Sequence, residues 1–144
     1  LFFKVFLSEV EPNLGWQDQT RRIEQPTFLY NYPASMAALA RRDPTDPRYA
    51  LRTELYIGSL ELANGFAELA DEKEQRARFE EERGLRRSLG KKTWDLDEIF
   101  LKSLPAMGDA AGIAFGVERL VMLLTKTASI SDLLPIRVRE RFPS

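Results

Sequence analysis

The segment "YALRTELYIGSLELANGFAEL" (residues 49–69) constrains the fold more than any other part of the chain. Leu51, Thr53, Leu55 and Ile57 alternate with Arg52, Glu54 and Tyr56. A period of two marks a strand whose two faces differ. Gly58-Ser59 then interrupts the pattern as a turn, so two antiparallel strands are expected, 50–57 and 60–69. "PTFLYNYP" (26–33), aromatic between two prolines, reads as a further strand. "LFFKVFLSEV" (1–10) reads as a short helix or strand with an apolar face, closed by the turn formers Pro12, Asn13 and Gly15. "QDQTRRIEQ" (17–25) is a polar connection, and "ASMAALARRD" (34–43) can make one or two helical turns before the breaker run "DPTDP".

Beyond residue 70 the pattern changes. "DEKEQRARFEEERGLRRSLGKK" (71–92) is densely charged, with Asp71 as N-cap, Glu74 three positions on and Gly90 near the end. That spacing predicts a solvated surface helix. "DLDEIFLKSLPAMG" (95–108) predicts a second helix, capped by Asp95 or Asp97 and ended near Pro105. "GIAFGVERLVMLLTK" (112–126) begins as a glycine-bounded strand and becomes a buried helix with Val117, Leu120, Val121 and Leu124 on one face. "SISDLLP" is one more short helix and "IRVRERFPS" (136–144) a possible strand. The fold class is α+β, an antiparallel sheet flanked by helices, organised as a single unit over 1–144.

Composition narrows the chemistry. With Lys+Arg 21 against Asp+Glu 22, the net charge of −1 gives no global attraction to nucleic acid or an acidic membrane, so any polyanion site is local. There are no cysteines and no histidines, which removes thiolate nucleophiles, zinc-thiolate sites and the usual general base. What remains suits magnesium and phosphate chemistry better than a histidine-based triad. No apolar run is long enough to cross a membrane, so the default is a soluble protein of the reducing cytoplasm. The chain starts at Leu1 and reads as the interior of a longer polypeptide.

Two stretches hold the candidate site. In "GIAFGVERLVMLL" (112–124), Arg119 stands in the first turn of an otherwise apolar helix behind Gly112 and Gly116. Helix N-termini carry unpaired amide donors and partial positive charge, so a cation there suits a phosphate. The plainer account pairs Arg119 with an acid and gives the glycines a packing role. In "ELANGFAEL" (61–69), Glu61, Asn64 and Glu68 interrupt an apolar strand. Alternation puts Asn64 and Glu68 on one face and Glu61 on the other, unless a bulge at Ala63-Asn64-Gly65 resets the register and all three converge. The plainer account is an edge strand whose acids face water.

These two stretches, in this order, resemble the catalytic core of the class II lysyl-tRNA synthetase family, the second being similar to that class's third signature motif. "FLYNYPASMAALAR", "LRTELYIGSLELANGFAEL" with "DEKEQRARFEEE" after it, and the alanine in "GIAFG" resemble most the truncated branch that places lysine on elongation factor P. The resemblance covers nearly the whole chain and implies a partial class II aminoacyl-tRNA synthetase catalytic fold. It implies ATP and magnesium as cofactors, a lysine-like substrate, adenylation with release of pyrophosphate, and transfer to an acceptor amine. Carried onto matching positions, Glu61 and the backbone of Leu62 lie at the ATP site, with Glu61 holding magnesium, and Gly116 and Arg119 serve the nucleotide. Asn64 orients the amino acid near its carboxylate, Glu68 accepts its side-chain ammonium, and Ala114 narrows the pocket and influences which lysine isomer fits. An adenylation needs no histidine, because the attacking substrate carboxylate is already ionised.

The first two signature motifs of the class are not visible, so the chain is expected to be the C-terminal part of a catalytic domain, not competent alone. Exposed sheet edges and apolar surface are expected with it. A homodimer is expected of the full-length protein. Three functions differ in class: a ligase acting on elongation factor P, a lysyl-tRNA synthetase acting on tRNA-Lys, and a non-catalytic binding module. Tyr30, Tyr32 and Tyr56 read as core, and Arg52 as a structural ion-pair partner. The basic pairs Arg41-Arg42, Arg86-Arg87 and Lys91-Lys92 are open to an acidic partner protein, with solvated charge the simpler account.

Overall fold

A computed structural model describes residues 2–18, 20–21 and 24–134. The strand expected over 136–144 lies outside them. Four strands, β1 (Thr27–Pro33), β2 (Tyr49–Ile57), β3 (Leu60–Ala67) and β4 (Ala111–Phe115), form one antiparallel sheet in the order β1-β2-β3-β4. The helices are α1 (Phe2–Val5), which continues as a π-helical turn over Phe6–Val10, then α2 (Glu72–Ser88), α3 (Glu98–Met107) and α4 (Val117–Thr125). The α+β expectation is met. By internal contacts the chain divides into two compact units, one of Leu1–Leu29, Glu54–Asn64 and Ala114–Ser144, the other of Tyr30–Thr53 and Gly65–Ile113.

In the first unit the hairpin turn between β2 and β3 is anchored by the N-terminal segment. Gly58 and Ser59 both take positive φ, 57° and 64°, as a two-residue hairpin loop that follows the strand twist requires. Left-handed geometry is costly for serine, and the turn compensates with hydrogen bonds. The Ser59 amide donates to the Leu14 carbonyl (2.9 Å), its hydroxyl donates to the Pro12 carbonyl (2.6 Å) and accepts from the Trp16 indole (2.6 Å). Gly15 must be glycine: its φ is 79°, and a Cβ there would stand 2.6 Å from the Gly58 nitrogen.

In the second unit α2 is fixed by polar groups. Asp71 caps it, accepting from the Glu74 amide at 2.8 Å. The Arg78 guanidinium donates to the carbonyls of Ala37 (2.8 Å), Ala38 (3.1 Å) and Ala40 (2.8 Å), and buried Gln75 donates to Ala38 (3.3 Å). Those bonds hold the short turns expected after β1. The segment after β1 makes one 3-10 turn, Ala34–Met36, and a second turn closed by the Ala40 amide on the Ala37 carbonyl (3.1 Å), before the bridges Ala40↔Glu68 and Arg42↔Ala50. Arg78 shares the Ala37 carbonyl with the Ala40 amide and satisfies the carbonyls of Ala38 and Ala40 beyond it. Arg76 ties α2 to α3 through Glu98 at 2.7 Å, and Phe79 stacks on Phe100 at 6.2 Å between ring centres. α3 is capped by Asp97 and runs through Pro105 to Met107. A proline forfeits one bond, here to Leu101, and two residues from the end that loss is small.

Candidate active site

β2 shows which face of the sheet is buried. Ala50, Glu54 and Tyr56 are buried, whereas Leu51, Thr53, Leu55 and Ile57 are only half-buried. The polar set of the alternation therefore faces inward. Buried polar atoms are costly without partners, and among the described residues no buried side-chain nitrogen or oxygen lacks one. Glu54, 5% exposed, accepts from the Tyr56 hydroxyl (2.8 Å) and from the Asn64 amide (3.1 Å). Tyr32 and Tyr56 are core, as expected, but Tyr30 is 67% exposed. Arg52 lies over the Tyr32 ring at 4.4 Å and donates to the Met36 carbonyl at 3.0 Å.

The first unit brings four of the candidate residues together. The Gly116 amide, at the N-cap of α4, donates to the Leu62 carbonyl at 2.8 Å. One turn on, Arg119 Nη1 donates to the Glu61 carbonyl and lies 3.9 Å from its Oε2. Adjacent carbonyls of β3 thus bind the start of α4, one through the backbone and one through a guanidinium. Gly116 makes room for this, since a Cβ there would meet Arg119 Cδ at 3.2 Å. Both charged groups remain partly open, the side chains being 46% exposed for Arg119 and 32% for Glu61. A cation and a carboxylate held near one another and open to solvent can receive a phosphate and its counter-cation.

Asn64 also belongs to this unit, its orientation set by Glu54. Ala114 is exposed in β4. Leu62 and Ala63 are buried in succession, which breaks simple alternation within the continuous strand 60–67. Glu68 falls in the second unit, just past β3, where its amide donates to the Ala110 carbonyl at 2.9 Å. Its carboxylate lies against the backbone of Gly112: a Cβ on that glycine would be 2.8 Å from Oε1. Gly65 is similarly constrained, because its Cβ would meet the Gly112 carbonyl oxygen at 2.9 Å. The glycines at 65 and 112 therefore allow the close approach of β3, β4 and Glu68.

One expectation fails here. The face of α4 made by Val117, Leu120, Val121 and Leu124 is not buried, with Val117 60% and Leu124 75% exposed. Every residue of β4 is exposed as well. Helical periodicity specifies a side, but burial needs another element, and none of the described residues covers this one.

The family model for tRNA synthetases class II (D, K and N) matches residues 10–136. The chain belongs to that family. Among its relatives, the elongation factor P–(R)-β-lysine ligase of Proteus mirabilis is 44% identical over 135 residues, 93% of this chain and 39% of that protein. The same-named proteins of Erwinia tasmaniensis and Haemophilus influenzae are each 42% identical over 93% of this chain, covering 39% and 40% of their own lengths. The chain thus spans about two fifths of the curated relatives it matches. Class II synthetase-family relatives named as ligases make this an enzyme family, and the α+β sheet is consistent with part of such a domain.

The donor set bears on magnesium. Among the described residues no group of three or more His, Cys, Asp or Glu side chains could cage a metal. A magnesium ion carried with a nucleotide needs only one or two carboxylates besides phosphate oxygens and water, which Glu61 fits. Glu54 is the residue that sequence reading passed over. Its signal was an acid on the same face as Tyr56, but its partner Asn64 is ten residues away and visible only once the strands pair. Among the described residues no helix is long and apolar enough to cross a membrane.

Proposed function

We propose that the protein carrying this chain activates lysine or β-lysine with ATP and passes the acyl group to a lysine of elongation factor P. The observation that carries this reading is the seating of Arg119 on Glu61 at the start of α4, in a chain resembling proteins named for that reaction. Arg119 and Gly116 would bind the nucleotide, with Leu62 fixing the helix start and Glu61 holding magnesium, which would neutralise phosphate charge. Asn64 would orient the substrate carboxylate for in-line attack on the α-phosphate, with pyrophosphate leaving, and Glu68 would accept the side-chain ammonium. Ala114 would bias the choice of isomer. The chain would act as the C-terminal part of a larger catalytic domain in a cytoplasmic, homodimeric enzyme.

The test is ATP–pyrophosphate exchange by the full-length polypeptide with α-lysine or β-lysine. Exchange that Glu68→Ala reduces by about 100-fold or more would support the reading, and preference for β-lysine would favour the protein acceptor. Preference for α-lysine with charging of tRNA-Lys would move the assignment to a lysyl-tRNA synthetase. No exchange with either isomer would leave a non-catalytic module.

A further inference from the structure

The C-terminal end of α2 and the loop after it carry a feature the proposed chemistry does not use. The acids of α2, Glu72, Glu74, Glu80, Glu81 and Glu82, all precede Arg83. From Arg83 to Trp94 there are five cations, Arg83, Arg86, Arg87, Lys91 and Lys92, and no acid, in a chain whose net charge is −1. Arg83 is paired with Glu80 at 2.9 Å and lies 3.9 Å from Asp95, the acid that follows Trp94. Among the described residues no carboxylate pairs with Arg86, Arg87, Lys91 or Lys92.

The cations are held in place. Gly90 (φ 66°) turns the chain, the Lys91 amide returns to the Arg86 carbonyl at 2.9 Å, and Arg86 Nε donates to the Lys92 carbonyl at 3.2 Å. Arg86 and Lys92 both stand against the Trp94 ring, at 5.1 and 5.6 Å from its centre. Around them Leu85, Leu89 and Trp94 are each about 60% exposed. A shallow cleft of about 140 Å³ includes the indole in its lining, with Phe79, Leu96, Arg83, Arg86 and one acid, Glu82.

The helix macrodipole accounts for cations in the last turn, Arg86 and Arg87. It does not account for Lys91 and Lys92 beyond the helix, nor for two leucines and a tryptophan facing water. Unpaired cations interleaved with exposed apolar anchors suit a partner that is acidic and apolar together. That favours a protein segment over nucleic acid, because leucines offer no stacking and the indole already carries two cations. We infer that this end of α2 docks an acidic, leucine- or aromatic-bearing segment of the acceptor protein, a role that rests on the reading that the acceptor is a protein.

The test uses the full-length polypeptide, the double variant Lys91→Glu/Lys92→Glu, the single variant Trp94→Ala and the charge-preserving Lys91→Arg/Lys92→Arg. Pyrophosphate exchange needs no acceptor and should stay within about twofold in all of them. Binding of elongation factor P by calorimetry, and KM for it in the transfer reaction, should weaken about tenfold or more in the charge-reversed and tryptophan variants. Kcat should change little, the salt dependence of binding should flatten, and the arginine variant should retain binding. Unchanged binding and KM on charge reversal would overturn the inference. So would a labelled single-stranded RNA that binds the unaltered protein and is lost on charge reversal while binding of elongation factor P persists. Absence of exchange in the unaltered protein would defeat the proposed activity alone, and the binding titration would still decide the docking surface.

Discussion

Helices α2 and α4 invert the usual relation between hydrophobicity and anchorage. α2 is densely charged, yet it carries a buried glutamine and an arginine spanning three backbone carbonyls. α4 is mostly apolar, yet none of its residues is buried, and what ties its start to β3 is polar: the Gly116 amide and the Arg119 guanidinium. Polar bonds have direction and partners, so they can fix a helix without a broad apolar contact. Apolar pattern marks a surface that wants cover and does not supply the cover.

The contrast can be broken most severely at Arg78. Arg78→Ala would take the guanidinium donor from the Ala40 carbonyl and leave the Ala37 carbonyl with the Ala40 amide alone, at two buried residues. It should cost about 3 kcal/mol in urea denaturation, with Arg78→Lys restoring only part, since an ammonium lacks the planar fork. Asp71→Ala, which removes the N-cap of α2, should cost about 1 kcal/mol by the same assay.

A smaller effect sits at Glu98, whose carboxyl is held below its usual range chiefly by the hydrogen bond from Arg76. A lowered folded-state value means that this stabilisation is present above the ordinary carboxylate pKa and lost as pH falls through the lowered one. Glu98→Gln should therefore narrow the gap in stability between neutral and acid pH, and an acid titration followed by circular dichroism checks it. The smallest change is expected on α4. Leu124→Gln should shift stability by no more than about 0.5 kcal/mol in this chain, because the side chain is 75% exposed. A large loss there would show that the apolar face is covered after all.

Much of this was legible in the sequence where the signal is local. The hairpin showed in alternation around Gly58-Ser59, and the cap of α2 in the spacing of Asp71 and Glu74. What escaped depends on partners distant along the chain. The inward turn of Glu54 follows from Asn64 on the next strand, and the anchoring of the turn after Met36 follows from Arg78 on α2. Of the candidate site, Glu61, Leu62, Gly116 and Arg119 do meet. The pairing of Arg119 with Glu61 combines the two accounts drawn from sequence, an acid partner and a cation at a helix start.

The most direct measurement is pyrophosphate exchange by the full-length polypeptide carrying Arg119→Ala or Glu61→Gln, with thermal denaturation run alongside. The account predicts that exchange falls by about 100-fold or more while the denaturation midpoint moves by only a few degrees. Exchange that survives both substitutions, or that falls only as the protein unfolds, would contradict it.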